Sequence, residues 1–439
     1  TPLPPTPTVP PVTSPPDVTA PALTTPGLSP NPVIPGATVT VTSTATDAVA
    51  VALAQKQFNG GSWTSMTAVD GSFGGTTEAL TSTITAPASS GTYPVCVRAT
   101  DSTGNTSTGL ACTTLTVMSY SLAPAVGSAS VAQGQPASYT INITRSTFAG
   151  SIALSASGLP AGAAASFNPT PSGGASSVLT VTTSNCGTVT PRGTYTITVT
   201  GVSGGLTKTT TVSLTVTNGA PIVTAPVSTL YGGTTLGTST VRVKTAWSAC
   251  DADGVTKYQL QRQVNGGAWT TVTLATATST SINQSLALNS TYRFRVHATD
   301  GTNTTSFNAY GPTFKTTVSD NASSAITYTG AWPTGTFTSY FGGTDRYSTT
   351  TGASATYTFT GSSVAWIAYK STSRGSAQVY VDGVLKATVN LYSTTATARA
   401  QVYAFNWATS GAHTIKVVVV GTAGHPRVDV DAFVRLIPA

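Results

Sequence analysis

Charge is scarce here. Only 8% of the 439 residues are Asp, Glu, Lys or Arg, glutamate occurs once, at Glu78, and methionine twice. Histidine occurs three times and cysteine four. With so few strong helix formers, a largely helical protein is excluded. The 20 Lys and Arg against 13 Asp and Glu leave a net charge of +7, spread along the chain as −3, +3, +4 and +3 over residues 1–118, 119–218, 219–318 and 319–439. That dilution makes no basic stripe, so no nucleic acid is expected as partner. No apolar run approaches the ~18 residues of a membrane-spanning helix, so no membrane-spanning segment is expected. Nor does Thr1 open a leader pattern, and the chain reads as a processed product or a piece of a longer one.

What is abundant is threonine and serine, 88 and 48 residues, with 42 glycines, 27 prolines and 39% hydrophobic residues. Thr- and Val-rich segments that alternate with polar residues favour strands, and the turn formers between them set strand length. The fold class is therefore all-β. Residues 1–16, TPLPPTPTVPPVTSPP, hold eight prolines, which fix φ and remove amide donors, so a semi-rigid linker or stalk is expected there.

Beyond it the chain divides at 17–118, 119–218, 219–318 and 319–439, giving four tandem β-sandwich domains. The first and third of these are copies of one design: FNGGSWT (58–64) matches VNGGAWT (264–270), and Tyr93 to Asp101 matches Tyr292 to Asp300. Each carries an Asn-Gly pair suited to a type I′ hairpin turn. Residues 119–218 show period-two strands such as Tyr139/Ile141/Ile143 and Tyr195/Ile197/Val199, which are core positions. The last segment holds 16 of the 34 aromatic residues.

The alternation, the place of Trp247 and the Tyr292 strand resemble fibronectin type III or bacterial immunoglobulin-like domains, and residues 119–218 resemble the immunoglobulin-like spacers of bacterial surface proteins. YTGAW (328–332), VYVDG (379–383), GAHTIKV (411–417) and VDVDAF (428–433) resemble a galactose-binding-like jelly roll of the carbohydrate-binding-module type. That resemblance implies sugar binding and, in many such jelly rolls, a structural calcium; Asp320 and Asp431, near the first and last strands, are the candidate metal ligands. No other cofactor is expected.

Cys96 and Cys112 are symmetric about Gly104, so a hairpin over DSTGNTST sets them opposite each other within disulfide reach. Cys186 and Cys250 fall in different segments. In a seven-stranded sandwich their loops, TSNCGTVTPRG and SACDADG, face the junction of the second and third domains, and an interdomain bond is expected, stiffening a stack of domains into a rod. The alternative is two unrelated thiols. Two disulfides imply an extracellular compartment.

Reactive constellations are missing: no G-x-S-x-G elbow, H-E-x-x-H helix or P-loop occurs, and the last segment offers aspartates but no glutamate for a glycosidase pair. The chain is not expected to be an enzyme. Asp251-Ala-Asp253-Gly254 starts like an EF-hand loop but lacks the remaining ligands, so a turn is the better reading. His297 shares a strand face with Arg293 and Arg295 near Lys257, either a basic patch or a solvated face. His413 opens a strand and His425 lies in a loop. Aromatic rings stack on the C–H face of a pyranose while polar groups fix its hydroxyls. Trp332, Tyr340, Tyr347, Tyr392 and Trp407, with Asp345, Arg346 and Arg374, are the candidate ligand-binding residues.

The expected function is that of an extracellular, non-catalytic surface or adhesion protein whose C-terminal domain binds a glycan or another cell-surface ligand. The alternatives are a structural subunit of an extracellular filament, pilus or surface layer, with self-association as the partner relation, and the accessory region of a secreted polysaccharide hydrolase.

Overall fold

A computed structural model describes residue 3, residues 14–305 and residues 307–439. The proline tract, apart from Leu3 and residues 14–16, lies outside the described residues. The described residues form antiparallel β-sheets and one short 3-10 turn, Phe341–Gly343. The described residues make two compact units: those up to 131, 135–183 and 191–217 form one, and those at 132–134, 184–190 and from 218 onward the other.

In the first unit two sandwiches follow one another. In the first, Ala22–Leu23, Thr38–Thr46, Thr77–Thr85 and Thr67–Ala68 form one sheet, with Gly27–Ser29 also on Thr38–Thr46. Thr64–Ser65, Val51–Phe58, Gly91–Asp101 and Ala111–Val117 form the other. Thr38–Thr46 alternates buried and exposed as its period-two sequence requires, and Val39, Val41 and Ala45 meet Val95, Val97 and Leu115 in the core. The second sandwich has four strands per sheet, with the 119–124, 137–146, 176–182 and 164–168 strands facing those at 128–132, 206–217, 193–203 and 153–157. Tyr139, Ile141, Ile197 and Val199 lie in its core.

Three tyrosines mark the immunoglobulin-like class independently of strand count. Tyr93, Tyr195 and Tyr292 lie near the start of long central strands, and their hydroxyls donate back to the carbonyls of Ser89 (2.8 Å), Pro191 (2.9 Å) and Ala287 (3.3 Å). This corner, a strand-opening tyrosine bonded a few residues upstream, is a hallmark of these sandwiches. The hairpin turns have the expected chemistry: Asn59 and Gly60, and Asn265 and Gly266, all have positive φ, at 48°, 72°, 49° and 71°. Two successive positive φ values are the I′ geometry, which Asn-Gly adopts at low cost.

In the second unit, Val227–Leu230, Thr240–Ala246 and Ser281–Ala287 face a sheet containing Thr270–Val272, Lys257–Val264 and Thr291–Thr299. Strand Phe314–Asp320 begins beside Thr291–Thr299, with Tyr292 opposite Phe314. It also pairs along its whole length with Ala432–Pro438, from Phe314↔Pro438 to Asp320↔Ala432. Through it the sheet continues into Ser354–Lys370, Thr397–Val419, Ser376–Val381 and Val384–Asn390. One hydrophobic core accordingly holds Tyr292, Phe294 and Val296 together with Ile367, Val434 and Leu436. A smaller sheet, Thr334–Thr336, Thr344–Ser348 and Val428–Val430, packs over the second core around Trp366, Tyr357 and Phe433.

Both disulfides form. Cys96 and Cys112 are cross-strand partners with Cα atoms 4.1 Å apart. Cys186, in the 184–190 loop that belongs to the second unit, is bonded to Cys250, with Cα atoms 5.6 Å apart. Asn185 in the same loop donates to the Ala220 carbonyl (2.9 Å) and to Asp251 Oδ2 (2.8 Å).

Candidate functional site

At one end of the C-terminal sandwich, chain segments brought together by the small sheet and the turns after long strands gather aromatic, cationic and acidic side chains. Residues 371–375 follow strand Ser354–Lys370, and Arg374 bridges to Arg427, which precedes Val428–Val430. Ser371 bridges to Tyr392, and the Gly375 amide donates to the Arg427 carbonyl at 2.9 Å. Gly375 is fixed by packing, because a Cβ there would stand 2.0 Å from the His425 carbonyl oxygen.

Asp429 is the hub. Arg374 Nε donates to its Oδ2 at 2.5 Å and Arg427 Nε to its Oδ1 at 2.6 Å. Arg427 Nη2 reaches Asp345 Oδ2 at 2.9 Å. Both carboxylates are fully buried, and Arg374 is 7% exposed. Two guanidinium groups thus offset two carboxylates, the condition under which buried charge is tolerated. Tyr340 OH accepts from Arg374 Nη2 at 3.2 Å, and the Arg427 guanidinium lies 3.7 Å over the Tyr347 ring. Arg374 lies 4.8 Å over Tyr369, whose ring meets Tyr340 and Phe337 edge-on.

Burial and the Asp429 charge push the Asp345 carboxyl up to about 6, against the pull of Arg427. Its Oδ1 is buried with no hydrogen-bond partner and lies against Gly335, where a Cβ would approach it to 2.2 Å. Burial raises the Tyr340 hydroxyl above its usual range. Arg427 is held more firmly protonated because Asp429 and Asp345 outweigh the opposing effect of burial.

Two rings remain open at this end: Phe337, 43% exposed, and Tyr392, 41% exposed with its ring 5.1 Å from His425. The arrangement offers apolar ring faces beside hydroxyls of Ser371 and Ser373 and a charge-balanced Arg–Asp floor, the combination that a pyranose uses.

The residues singled out from sequence distribute unevenly. Tyr340, Asp345, Tyr347 and Arg374 converge, and Tyr392 lies on the adjoining loop. Trp332 is buried in the core beside them, its Nε1 donating to the Thr329 carbonyl at 3.2 Å. Arg346 donates to the Trp332 carbonyl at 2.9 Å and lies over Tyr328. Trp407 belongs to a separate cluster, stacked 3.8 Å from His413 and donating to Asp382 Oδ2 at 3.2 Å. Sequence reasoning missed Phe337 and Arg427. Arg427 stands two residues before Asp429, and charges alternating at period two within a strand were the available signal.

Asp320 and Asp431, the candidate calcium ligands, each hold a backbone amide on one carboxylate oxygen. Asp431 Oδ1 accepts from the Phe341 amide at 2.9 Å, and burial, aided by the charges of Asp320 and Asp345, pushes its carboxyl up to about 8. Asp320 Oδ1 accepts from the Asn321 amide at 2.7 Å. Among the described residues, the carboxylate triplets whose oxygens converge are Asp17/Asp47/Asp101 and Asp251/Asp253/Asp300, and neither includes them.

No protein-family profile matches the chain. Two proteins of Flavonifractor plautii are similar over part of it: an A type blood N-acetyl-alpha-D-galactosamine deacetylase, 37% identical over 128 residues, and an A type blood alpha-D-galactosamine galactosaminidase, 36% identical over 124. Each match takes in 28% of this chain, and the chain spans only 16% and 11% of those proteins. Solved structures with which it aligns include titin domains A168–A170, at 15% identity and TM-score 0.21 over 65% of this chain and 95% of that one. Chicken CNTN1 FN1–FN3 aligns at 15% and 0.22 over 67% and 95%. The Clostridium thermocellum CbhA fibronectin(III)-like modules align at 15% and 0.18 over 45% and 95%. The fold class rests on the sheets and tyrosine corners described above: a modular all-β chain of immunoglobulin- and fibronectin III-like sandwiches.

Proposed function

We propose that this chain is a non-catalytic, extracellular, glycan-binding region whose C-terminal sandwich, of the galactose-binding-like jelly-roll type, takes a carbohydrate at the loop end around Phe337, Tyr340, Arg374 and Tyr392. The observation that carries the reading is the pair of open rings, Phe337 and Tyr392, flanking a buried Arg–Asp network that holds their loops in place. The two disulfides agree with an oxidising compartment. The similarity to two glycan-acting enzymes over about a quarter of the chain favours the accessory region of a secreted glycan-degrading protein over free-standing adhesion.

The test is a glycan array probed with the full chain, followed by titration of the best ligand against Phe337→Ala and Tyr392→Ala. Losing a stacking ring is expected to weaken binding by about tenfold, which corresponds to about 1.4 kcal/mol, with little dependence on salt. An array without a hit, or binding untouched by both variants, would refute the assignment.

A further inference from the structure

The third sandwich carries a surface that the proposed sugar site does not use. On the outer face of strand Thr291–Thr299, Arg293, Arg295 and His297 project at alternate positions, and strand Lys257–Val264 sets Gln263, Gln261 and Gln259 opposite them, with Lys257 at the end of the row. Aromatic rings interleave with the cations. The Arg295 guanidinium lies 4.3 Å over Trp269 and 4.6 Å over Phe307, Phe307 stacks on His297 at 4.1 Å, and Arg293 lies 4.7 Å over Tyr310. Among the described residues no carboxylate forms an ion pair with Lys257, Arg293, Arg295 or His297.

The homologous face of the first sandwich shows which part of this is scaffold. There Arg98 lies 4.3 Å over Trp63 and donates to Gln55 Oε1 at 2.8 Å, as Arg295 lies over Trp269 and donates to Gln261 Oε1 at 2.8 Å. On strand Gly91–Asp101 that rung holds the one cation, Arg98. In the register of the paired strands, Arg293 stands opposite Gln263 where the first sandwich sets Cys96, bonded to Cys112, opposite Gln57. His297 stands opposite Gln259 where the first sandwich has Thr100 opposite Leu53. Strand Thr291–Thr299 thus carries Arg293 and Arg295 on this face where Gly91–Asp101 carries only Arg98, and His297 takes the place of Arg98 when the two strands are aligned from their tyrosines.

Their donors are free in the right places. Arg295 uses each of its three nitrogens once, on Gln261 and the Tyr310 hydroxyl. Arg293 uses only Nε, on the Gly311 carbonyl at 3.2 Å, and its two Nη groups have no protein acceptor among the described residues. Lys257 is exposed at the far end of the row, beside a groove of about 340 Å³ lined by Gln259, Thr271, Thr273 and Thr276. Arg293 and the Lys257 position, opposite Thr299, are six residues apart along the strand, ~20 Å. One small anion cannot engage both; an extended chain with repeated negative charges can. Guanidinium and imidazole groups cover one face each of Trp269, Phe307 and Tyr310, so Tyr310, 38% exposed, is the one ring of the cluster open to a stacking base, whereas the glutamine amides and threonine hydroxyls between the cations suit sugar hydroxyls.

We propose that this face of the third sandwich binds an acidic polysaccharide, with Arg293 and Lys257 holding its carboxylate or sulfate groups and the Gln/Thr row its hydroxyls. The test measures binding of the full chain to immobilised polygalacturonate, dextran sulfate, neutral dextran and an oligothymidine strand. It compares the unaltered protein with Lys257→Thr/Arg293→Ser and with Arg242→Ser/Lys244→Thr, which removes the same charge from the opposite sheet. The proposal expects binding to at least one acidic polysaccharide but not to dextran, weakening with salt, and a loss of about tenfold or more in the first variant only. Lys257→Thr alone, at an exposed strand end, is expected to give a smaller loss without touching the fold. Equal losses in both double variants, no binding to either acidic polysaccharide, or equally tight binding of oligothymidine would each overturn it.

Discussion

Asp431→Asn should stabilise this protein at alkaline pH. Asp431 is fully buried, its Oδ1 accepts from the Phe341 amide at 2.9 Å, and its Oδ2 is buried with no partner. Burial, with the neighbouring charges of Asp320 and Asp345, raises the carboxyl from 3.8 to about 8, against the pull of Arg399. The sign follows from linkage. A carboxyl that holds its proton more tightly when folded stabilises the fold fully below about pH 4, and that contribution is lost as pH rises towards 8. At ~1.4 kcal/mol per pKa unit the loss is bounded at about 6 kcal/mol, and relaxation around the site reduces it to roughly half. Asparagine keeps an acceptor for the Phe341 amide and cannot ionise, so the variant should lose this slope. The assay is urea unfolding at pH 5, 7 and 9, followed by tryptophan fluorescence, to which the C-terminal sandwich contributes Trp332, Trp366 and Trp407. The unaltered protein should lose stability in that sandwich between pH 5 and 9 while the variant holds steady. Parallel pH profiles for the two proteins would refute the reasoning.

Two further predictions concern cross-links. Asp429→Asn leaves Arg374 and Arg427 without their shared carboxylate and should destabilise the C-terminal sandwich by about 3–5 kcal/mol in the same unfolding assay, with loss of glycan binding. Cys96→Ser/Cys112→Ser opens a loop of sequence separation 16 and should lower the stability of the first sandwich by about 3 kcal/mol while leaving glycan binding unchanged, as differential scanning calorimetry with a parallel binding titration would show.

Local chemistry was legible in the sequence wherever neighbours in the chain are neighbours in space. The Asn-Gly turns at 59–60 and 265–266, the alternation of Thr38–Thr46 and the Cys96–Cys112 pair about Gly104 all depend on short-range geometry, and a hairpin fixes its own register. The Cys186–Cys250 bond lay further off, since it required placing two loops by the topology of a sandwich. Strand partners across long separations were not legible. Nothing in FKTTVSD announces that Phe314–Asp320 pairs with the last strand of the chain, because a period-two pattern states which face is buried and not which strand lies alongside. The same limit explains the site. Tyr340, Asp345, Tyr347 and Arg374 stand out in the sequence as polar or aromatic residues outside regular runs. Trp332 satisfies that description equally well yet turns into the core, and Arg427 escapes it because its importance lies in Asp429 and Asp345, one of them 82 residues away.

The most direct measurement is a crystal structure of the chain with the best glycan from the array. The account predicts a pyranose at the loop end of the C-terminal sandwich, stacked on Phe337 or Tyr392 within reach of Ser371 and Ser373. A sugar lodged instead beside Trp407 and His413, with the Phe337 and Tyr392 rings bare, would contradict it.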